Sequence, residues 1–143
     1  MNDTWGEAFF HFVWATKRRD PCISSVLEPE MYGVIISQAR LLGCETLAIG
    51  GMSDHVHWLT RYGRNITLGR LLNQVKGVSS AFMNDHLETI GHSFRWQSGY
   101  GYFTVGPKQI PRVLNYVVNQ KEHHANDVLY PDWEYCAEDS AVE

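Results

Sequence analysis

Residues 7–16 alternate tightly, with Phe10, Phe12 and Trp14 on one side of an extended chain and Phe9, His11 and Val13 on the other. Successive side chains of a strand point to opposite faces, so the segment reads as a strand apolar on both sides, suited to a sheet centre or an interface. Lys17, Arg18, Arg19, Asp20 and Pro21 end it in a charged loop. The period then lengthens. Met31, Val34, Ile35, Gln38, Leu41 and Leu42 recur at helical spacing, Pro29 suits a first turn and Gly43 a left-handed stop, which predicts a helix over 28–43. Alternation returns from Cys44 to Ile49, with Leu47 and Ile49 expected on one face. Gly50 and Gly51 are the expected turn, and the aromatic, β-branched run from His55 to Thr60 forms the second arm of an antiparallel hairpin.

Tyr62, Gly63, Arg64 and Asn65 close that strand. Thr67 is a plausible cap for a helix carrying Leu68, Leu71, Leu72, Val75, Ser79 and Phe82, with Lys76 on the flank of its apolar stripe. Residues 84–101 are mixed in character, with Gly99 and Gly101 flanking Tyr100, and 102–105 give a last short strand. Pro107 and Pro111 bracket the start of a third helix running through Val113, Leu114, Val117 and Val118 to about Ala125. The order β-α-β-β-α-β-α predicts an α+β, ferredoxin-like fold. In it, helices cover one face of an antiparallel sheet and a C-terminal helix is appended.

Two patterns carry chemistry. His55 and His57 share one face of their strand while Val56 and Trp58 occupy the other. The imidazoles either converge on a metal that takes a further ligand from elsewhere or are two polar residues on a wet sheet face. On the third helix, Tyr116 lies about 130° from the centre of the apolar stripe, with Gln120 and His123 following on the same flank. A tyrosine off the stripe is an ordinary amphipathic surface residue unless something recruits it. Beside a histidine pair and an amide carbonyl, it completes the parts for metal-assisted phosphoryl transfer.

Composition narrows the setting. With 143 residues, 44% of them hydrophobic, one globular domain is expected. The net charge of -4 argues at first against a nucleic-acid partner. Asp132, Glu134, Glu138, Asp139 and Glu143, however, mark residues 132–143 as an acidic tail without Lys or Arg, and the domain 1–131 keeps 12 basic against 11 acidic side chains. Lys17, Arg18, Arg19, Arg61, Arg64 and Lys76 either form a basic DNA-binding face or are scattered solubilising charge. Cys22, Cys44 and Cys136 are widely spaced and read as reduced thiols rather than a disulfide framework or a thiolate zinc site. With no membrane span or leader pattern, a cytoplasmic protein is expected.

Three stretches, taken together, resemble the single-tyrosine HUH transposases of insertion sequences and their repeat-associated relatives. They are 52–57, Met-Ser-Asp-His-Val-His; 96–105, beginning Trp-Gln-Ser-Gly-Tyr-Gly; and 115–124, beginning Asn-Tyr-Val-Val-Asn-Gln. They come in the family's order and span most of the chain. Ser53 stands where proline is usual and Trp58 where an aliphatic residue is usual, and neither change removes a reacting group.

The resemblance implies that His55, His57 and Gln120 bind Mg2+ or Mn2+ and that Tyr116 attacks single-stranded, hairpin-bearing DNA to leave a 5′-phosphotyrosine. It also implies a homodimer in which the nucleophile helix of one chain completes the histidine site of the other. Trp96, Tyr100 and Tyr102 either stack on unpaired bases or belong to the core. Two other classes fit the same residues. One is a non-catalytic or host-retained single-strand-binding protein. The other is a zinc hydrolase using His55 and His57 with His123 or His124.

Overall fold

The strand that is apolar on both sides runs through the middle of a four-stranded antiparallel sheet of order β2-β3-β1-β4. The computed structural model describes residues 4–125 and 131–134. Its elements are β1 (Phe9–Ala15), α1 (Glu28–Leu41), β2 (Glu45–Met52), β3 (His55–Arg61), α2 (Leu68–Asn84), α3 (Leu87–Ile90), β4 (Gly101–Val105), α4 (Ile110–Val118), α5 (Gln120–Ala125) and α6 (Pro131–Glu134). Order and pairing are those of the ferredoxin-like arrangement expected from the pattern.

The two sides of β1 face two cores. Phe12 and Trp14 join Val56 and Trp58 of β3 under α1 and α2, whose Met31, Ile35, Leu71, Leu72 and Val75 are fully buried. Each such side chain contributes about 1.5–3 kcal/mol of apolar burial. Thr67 caps α2 by accepting a hydrogen bond from the Arg70 amide at 3.2 Å. Phe9, Leu59, Ala48 and Val105 face the other way, against Val113 and Val117 of α4. The appended helix therefore lies on the sheet face opposite α1 and α2.

Three local expectations are corrected. The hairpin turns at Ser53 and Asp54, and Gly50 and Gly51 belong to β2. Gly50 is required there for a different reason, since a Cβ on it would run into the Val117 carbonyl of α4. A β-bulge leaves Leu47 unpaired between Thr46 and Ala48, so Leu47 packs toward α4 while Ile49 packs toward α1 and α2. The third helix is broken at Asn119, at φ -106° and ψ 30°, with the Asn119 side chain bonded back to the Asn115 carbonyl at 2.9 Å. Gly43 takes the left-handed conformation expected of it, at φ 82°.

Cys22 and Cys44 are buried free thiols, pushed up in pKa by burial, while Cys136 lies outside the described residues. No helix among the described residues is long and apolar enough to cross a membrane.

Candidate metal and nucleophile site

His55 and His57 sit at the hairpin end of β3, on the face that α4 covers, and both are buried. Each has its Nδ1 engaged. Asp54 Oδ1 lies 2.7 Å from His55 Nδ1, and His11 Nε2 of the neighbouring strand lies 2.8 Å from His57 Nδ1. Fixing one ring nitrogen determines what the other offers, and both Nε2 atoms point to the same space.

The break at Asn119 turns Gln120 inward until it is only 1% exposed. Its Nε2 donates to the Tyr116 carbonyl at 3.0 Å, which aims Oε1 at His55 Nε2, 3.3 Å away, and at His124 Nε2, 3.1 Å away. Tyr116 is also 1% exposed, which corrects the expectation that it lies off the packed surface. The covering comes from α5 and α6. Trp133 packs edge-on to the Tyr116 ring at 5.0 Å, His123 stacks on it at 4.9 Å, and the Tyr116 hydroxyl donates to Glu134 Oε2.

Glu134 stands at the centre of the cluster. Oε1 is 3.3 Å from His55 Nε2 and 3.1 Å from His124 Nε2, and Oε2 is 3.2 Å from His57 Nε2. Glu134 falls in the stretch 132–143 expected to be an acidic tail, and its side chain, 13% exposed, packs against this cluster; residues 135–143 lie outside those described.

The electrostatics divide the imidazoles. Burial lowers the pKa of His57 to about 4, against the opposing pull of Glu134, and burial with the neighbouring His57 lowers that of His11 to about 3. Burial acts the same way on His55, but hydrogen bonds to Asp54 and Glu134 outweigh it and raise its pKa to about 9. Burial would raise the Glu134 carboxyl, yet contacts with His55, His57 and Tyr116 hold it far below the usual carboxylate range.

The donor set fits a divalent cation. His57 Nε2 is buried without an aligned hydrogen-bond partner, although Glu134 is near. His55, His124 and Glu134 bring their ligand atoms within 4.8 Å of one another, and Gln120 Oε1 lies beside them. Imidazole nitrogens with amide and carboxylate oxygens form a mixed set acceptable to Mn2+, Mg2+ or Zn2+.

Of the remaining candidates, Lys17, Arg18 and Arg19 lie at the same end of the sheet, since Ala15 pairs with His55. Arg18 and Arg19 hold left-handed φ values of 56° and 55°, a strain of about 1–2 kcal/mol each. That bend carries Arg19 back to Asp54 at 3.7 Å and to the Glu134 carbonyl at 3.3 Å. Arg61 and Arg64 lie at or beyond the other end of β3, bound to Glu7 and Glu45 and to the Thr4 carbonyl respectively.

Lys76 holds the Gln97 and Gly99 carbonyls at 2.8 and 2.9 Å and so braces the loop before β4. Trp96, 9% exposed, packs against Trp14 and Phe94 and bonds Ser79 Oγ at 3.0 Å, so it belongs to the core rather than to a base-stacking surface. Tyr100 is half-buried, with Tyr102 exposed beside it at 6.1 Å between ring centres.

Sequence reasoning missed His11, Asp54 and Glu134 as parts of this cluster. His11 was visible only as a polar residue in an apolar strand. The one signal for α6 was Trp133, a large apolar residue in an acidic segment that needs somewhere to be buried.

By fold, the molecule is similar to solved transposase structures. One is a candidate transposase from Deinococcus radiodurans R1, with 22% identity over 84% of this chain and 95% of that one and a TM-score of 0.66. Another is a REP-associated tyrosine transposase bound to a REP hairpin, with 13% identity over 97% of this chain and 92% of that one and a TM-score of 0.63. No curated protein matches the chain. The family described as Transposase IS200 like matches residues 6–120, and the chain belongs to that family. The match takes in His11, Asp54, His55, His57, Tyr116 and Gln120 and ends before His124 and Glu134.

Proposed function

We propose that this transposase cleaves and rejoins single-stranded DNA through a 5′-phosphotyrosine on Tyr116, with Mg2+ or Mn2+ held by His55, His57 and Gln120. The observation that carries the reading is the convergence of the Tyr116 hydroxyl, two histidine Nε2 atoms and the Gln120 oxygen on one buried space. Tyr116 Oη gives up its proton to solvent and attacks the phosphorus, the bond from phosphorus to the 3′ oxygen breaks, and that oxygen takes up a proton from solvent and leaves as a hydroxyl. The energy of the broken bond is kept in the phosphotyrosine, so the 3′ hydroxyl of another strand reverses the step without ATP. A bound cation supplies charge withdrawal from a non-bridging phosphate oxygen.

The chain's own residues do the rest. His123 and Trp133 pack around the Tyr116 ring and fix where its oxygen points, and Glu134 holds its proton in a hydrogen bond. Lys17 and Arg18 flank this end of the sheet, where an approaching phosphate backbone meets positive charge. The arrangement implied by the resemblance, a homodimer with shared sites, differs from the geometry of the single chain, in which Tyr116 and His57 are ring neighbours at 5.7 Å. A pair of copies would on this reading carry two sites, each complete within one chain.

Incubating the protein with hairpin-bearing single-stranded DNA and Mn2+ should give a denaturation-resistant adduct that maps to Tyr116. Tyr116→Phe should lower its formation by several orders of magnitude. An adduct formed at the original rate by that variant would overturn the assignment. One observation favours a second reading: His55, His124 and Glu134 form a two-histidine, one-carboxylate set of the kind zinc hydrolases use. That reading requires stoichiometric zinc and turnover that survives Tyr116→Phe.

A further inference from the structure

The carboxylate of Glu134 has more nitrogen neighbours than aligned hydrogen bonds account for. Three imidazole Nε2 atoms, of His55, His57 and His124, lie 3.1–3.3 Å from its two oxygens. A neutral imidazole whose Nδ1 carries the proton presents a lone pair at Nε2. A lone pair cannot rest against a carboxylate oxygen unless a proton or a cation lies between them. Nε2–H groups on all three rings would bridge these contacts only if each hydrogen were aligned on its oxygen. His57 Nε2 also lacks the alignment of a hydrogen bond.

The spacings have another explanation. Adjacent ligands of one cation, with bonds of about 2.1 Å at right angles, stand about 3.0 Å apart. The ring His55 Nε2 to Gln120 Oε1 at 3.3 Å, Gln120 Oε1 to His124 Nε2 at 3.1 Å, His124 Nε2 to Glu134 Oε1 at 3.1 Å and Glu134 Oε1 to His55 Nε2 at 3.3 Å is close to that figure throughout.

On this basis, and resting on the cation site proposed above, we infer that Glu134 is itself a ligand of that cation, supplied by a short helix beyond the family-matched residues and joined by His124. Glu134 does not reach the site by chance of rotamer, because α6 is docked on three sides. Trp133 packs edge-on to His11 at 5.4 Å and to Tyr116 at 5.0 Å, Arg112 lies over the Trp133 ring at 5.7 Å, and Arg19 donates to the Glu134 carbonyl at 3.3 Å. One carboxylate then does two things. Oε1 ligates, and Oε2 holds the Tyr116 hydroxyl, so that the nucleophile's oxygen is positioned relative to the cation through a single side chain. A carboxylate ligand also offsets part of the cation's charge and adds a hard oxygen to a set otherwise dominated by imidazoles.

The test is a Mn2+ titration of the full chain without DNA, following free Mn2+ by electron paramagnetic resonance, for the original protein, Glu134→Ala and Glu134→Gln. Circular dichroism in chelator confirms that each variant is folded. The isosteric Gln change keeps the packing of α6 and removes only the charge. Both variants are expected to bind Mn2+ at least about tenfold more weakly, with His57→Ala weakened as the control for the site itself.

Unchanged affinity in a folded Glu134→Gln protein would overturn the inference. Tighter binding would overturn it too, by marking the carboxylate as an occupant that the cation must displace. In both cases binding that is lost in His57→Ala leaves the histidine site standing, so the failure is confined to Glu134. Absence of Mn2+ binding by the original protein would overturn both the inference and the cation site it rests on.

Discussion

Tyr116 has a part-buried carboxylate partner, and this changes what its removal should do. Phe in its place keeps the ring between Trp133, His123 and His57 but deletes a hydroxyl bonded to a carboxylate. The folded state should lose about 1.5–3 kcal/mol, read by chemical denaturation in chelator, instead of the fraction of that expected for a surface tyrosine. The histidines give a signed pH dependence. His57 and His11 have pKa values near 4 and 3 in the folded chain and about 6.5 when unfolded, so the unfolded state takes protons that the folded one refuses as pH falls below 6.5. Stability of the metal-free protein should therefore drop as pH falls from about 6.5 toward 4. His55 acts in the opposite direction: its contribution is full below about 6.5 and is lost as pH rises through about 9. Melting temperatures across pH 7 to 5 check this, and His11→Phe should flatten the decline. The histidine pair was legible because a period of two needs no tertiary knowledge. The burial of Tyr116 was not, because its cover, Trp133 and Glu134, comes from a segment whose composition reads as solvated tail.

Elements were legible where one period ran uninterrupted, as in β1, α1 and α2, and misread where a contact distant in sequence set the local geometry. Gly50 and Gly51 look like punctuation, and only the packing of α4 shows that Gly50 is bare to let the Val117 carbonyl approach. The bulge at Leu47 and the break at Asn119 are hidden for the same reason, since apolar residues continue through both. The close approach of helix and strand yields a prediction. Gly50→Ala puts a methyl against backbone, which cannot move aside as a flexible side chain would, so α4 must lift from the sheet. Stability should fall by about 1–3 kcal/mol, and adduct formation should fall more than stability does, because Tyr116 and Gln120 move away from the histidines with the helix. Denaturation curves set beside adduct assays on the folded variant separate the two effects.

At the scale of the molecule, one chain carries Tyr116 and His57 in ring contact on the sheet face opposite α1 and α2. A mixture of Tyr116→Phe and His57→Ala chains, after subunit exchange, should therefore recover no adduct-forming activity, whereas recovery would show that the nucleophile helix reaches a partner's histidines. The layered architecture was readable from element order alone, but which face the last helix covers was not, because α4 is apolar enough to suit either. The donors meet only through that layering: His55 and Gln120 are 65 positions apart, and His11 and His57 are 46 apart. A chain that has lost its tertiary structure has no such constellation, so mass action would couple a cation bound at the proposed site to the folding equilibrium itself. At a free concentration one hundred times its dissociation constant, an ion that binds only the native chain deepens the native well by about 2.7 kcal/mol. The supply of divalent metal would then govern how much of the protein is folded as well as how fast it reacts.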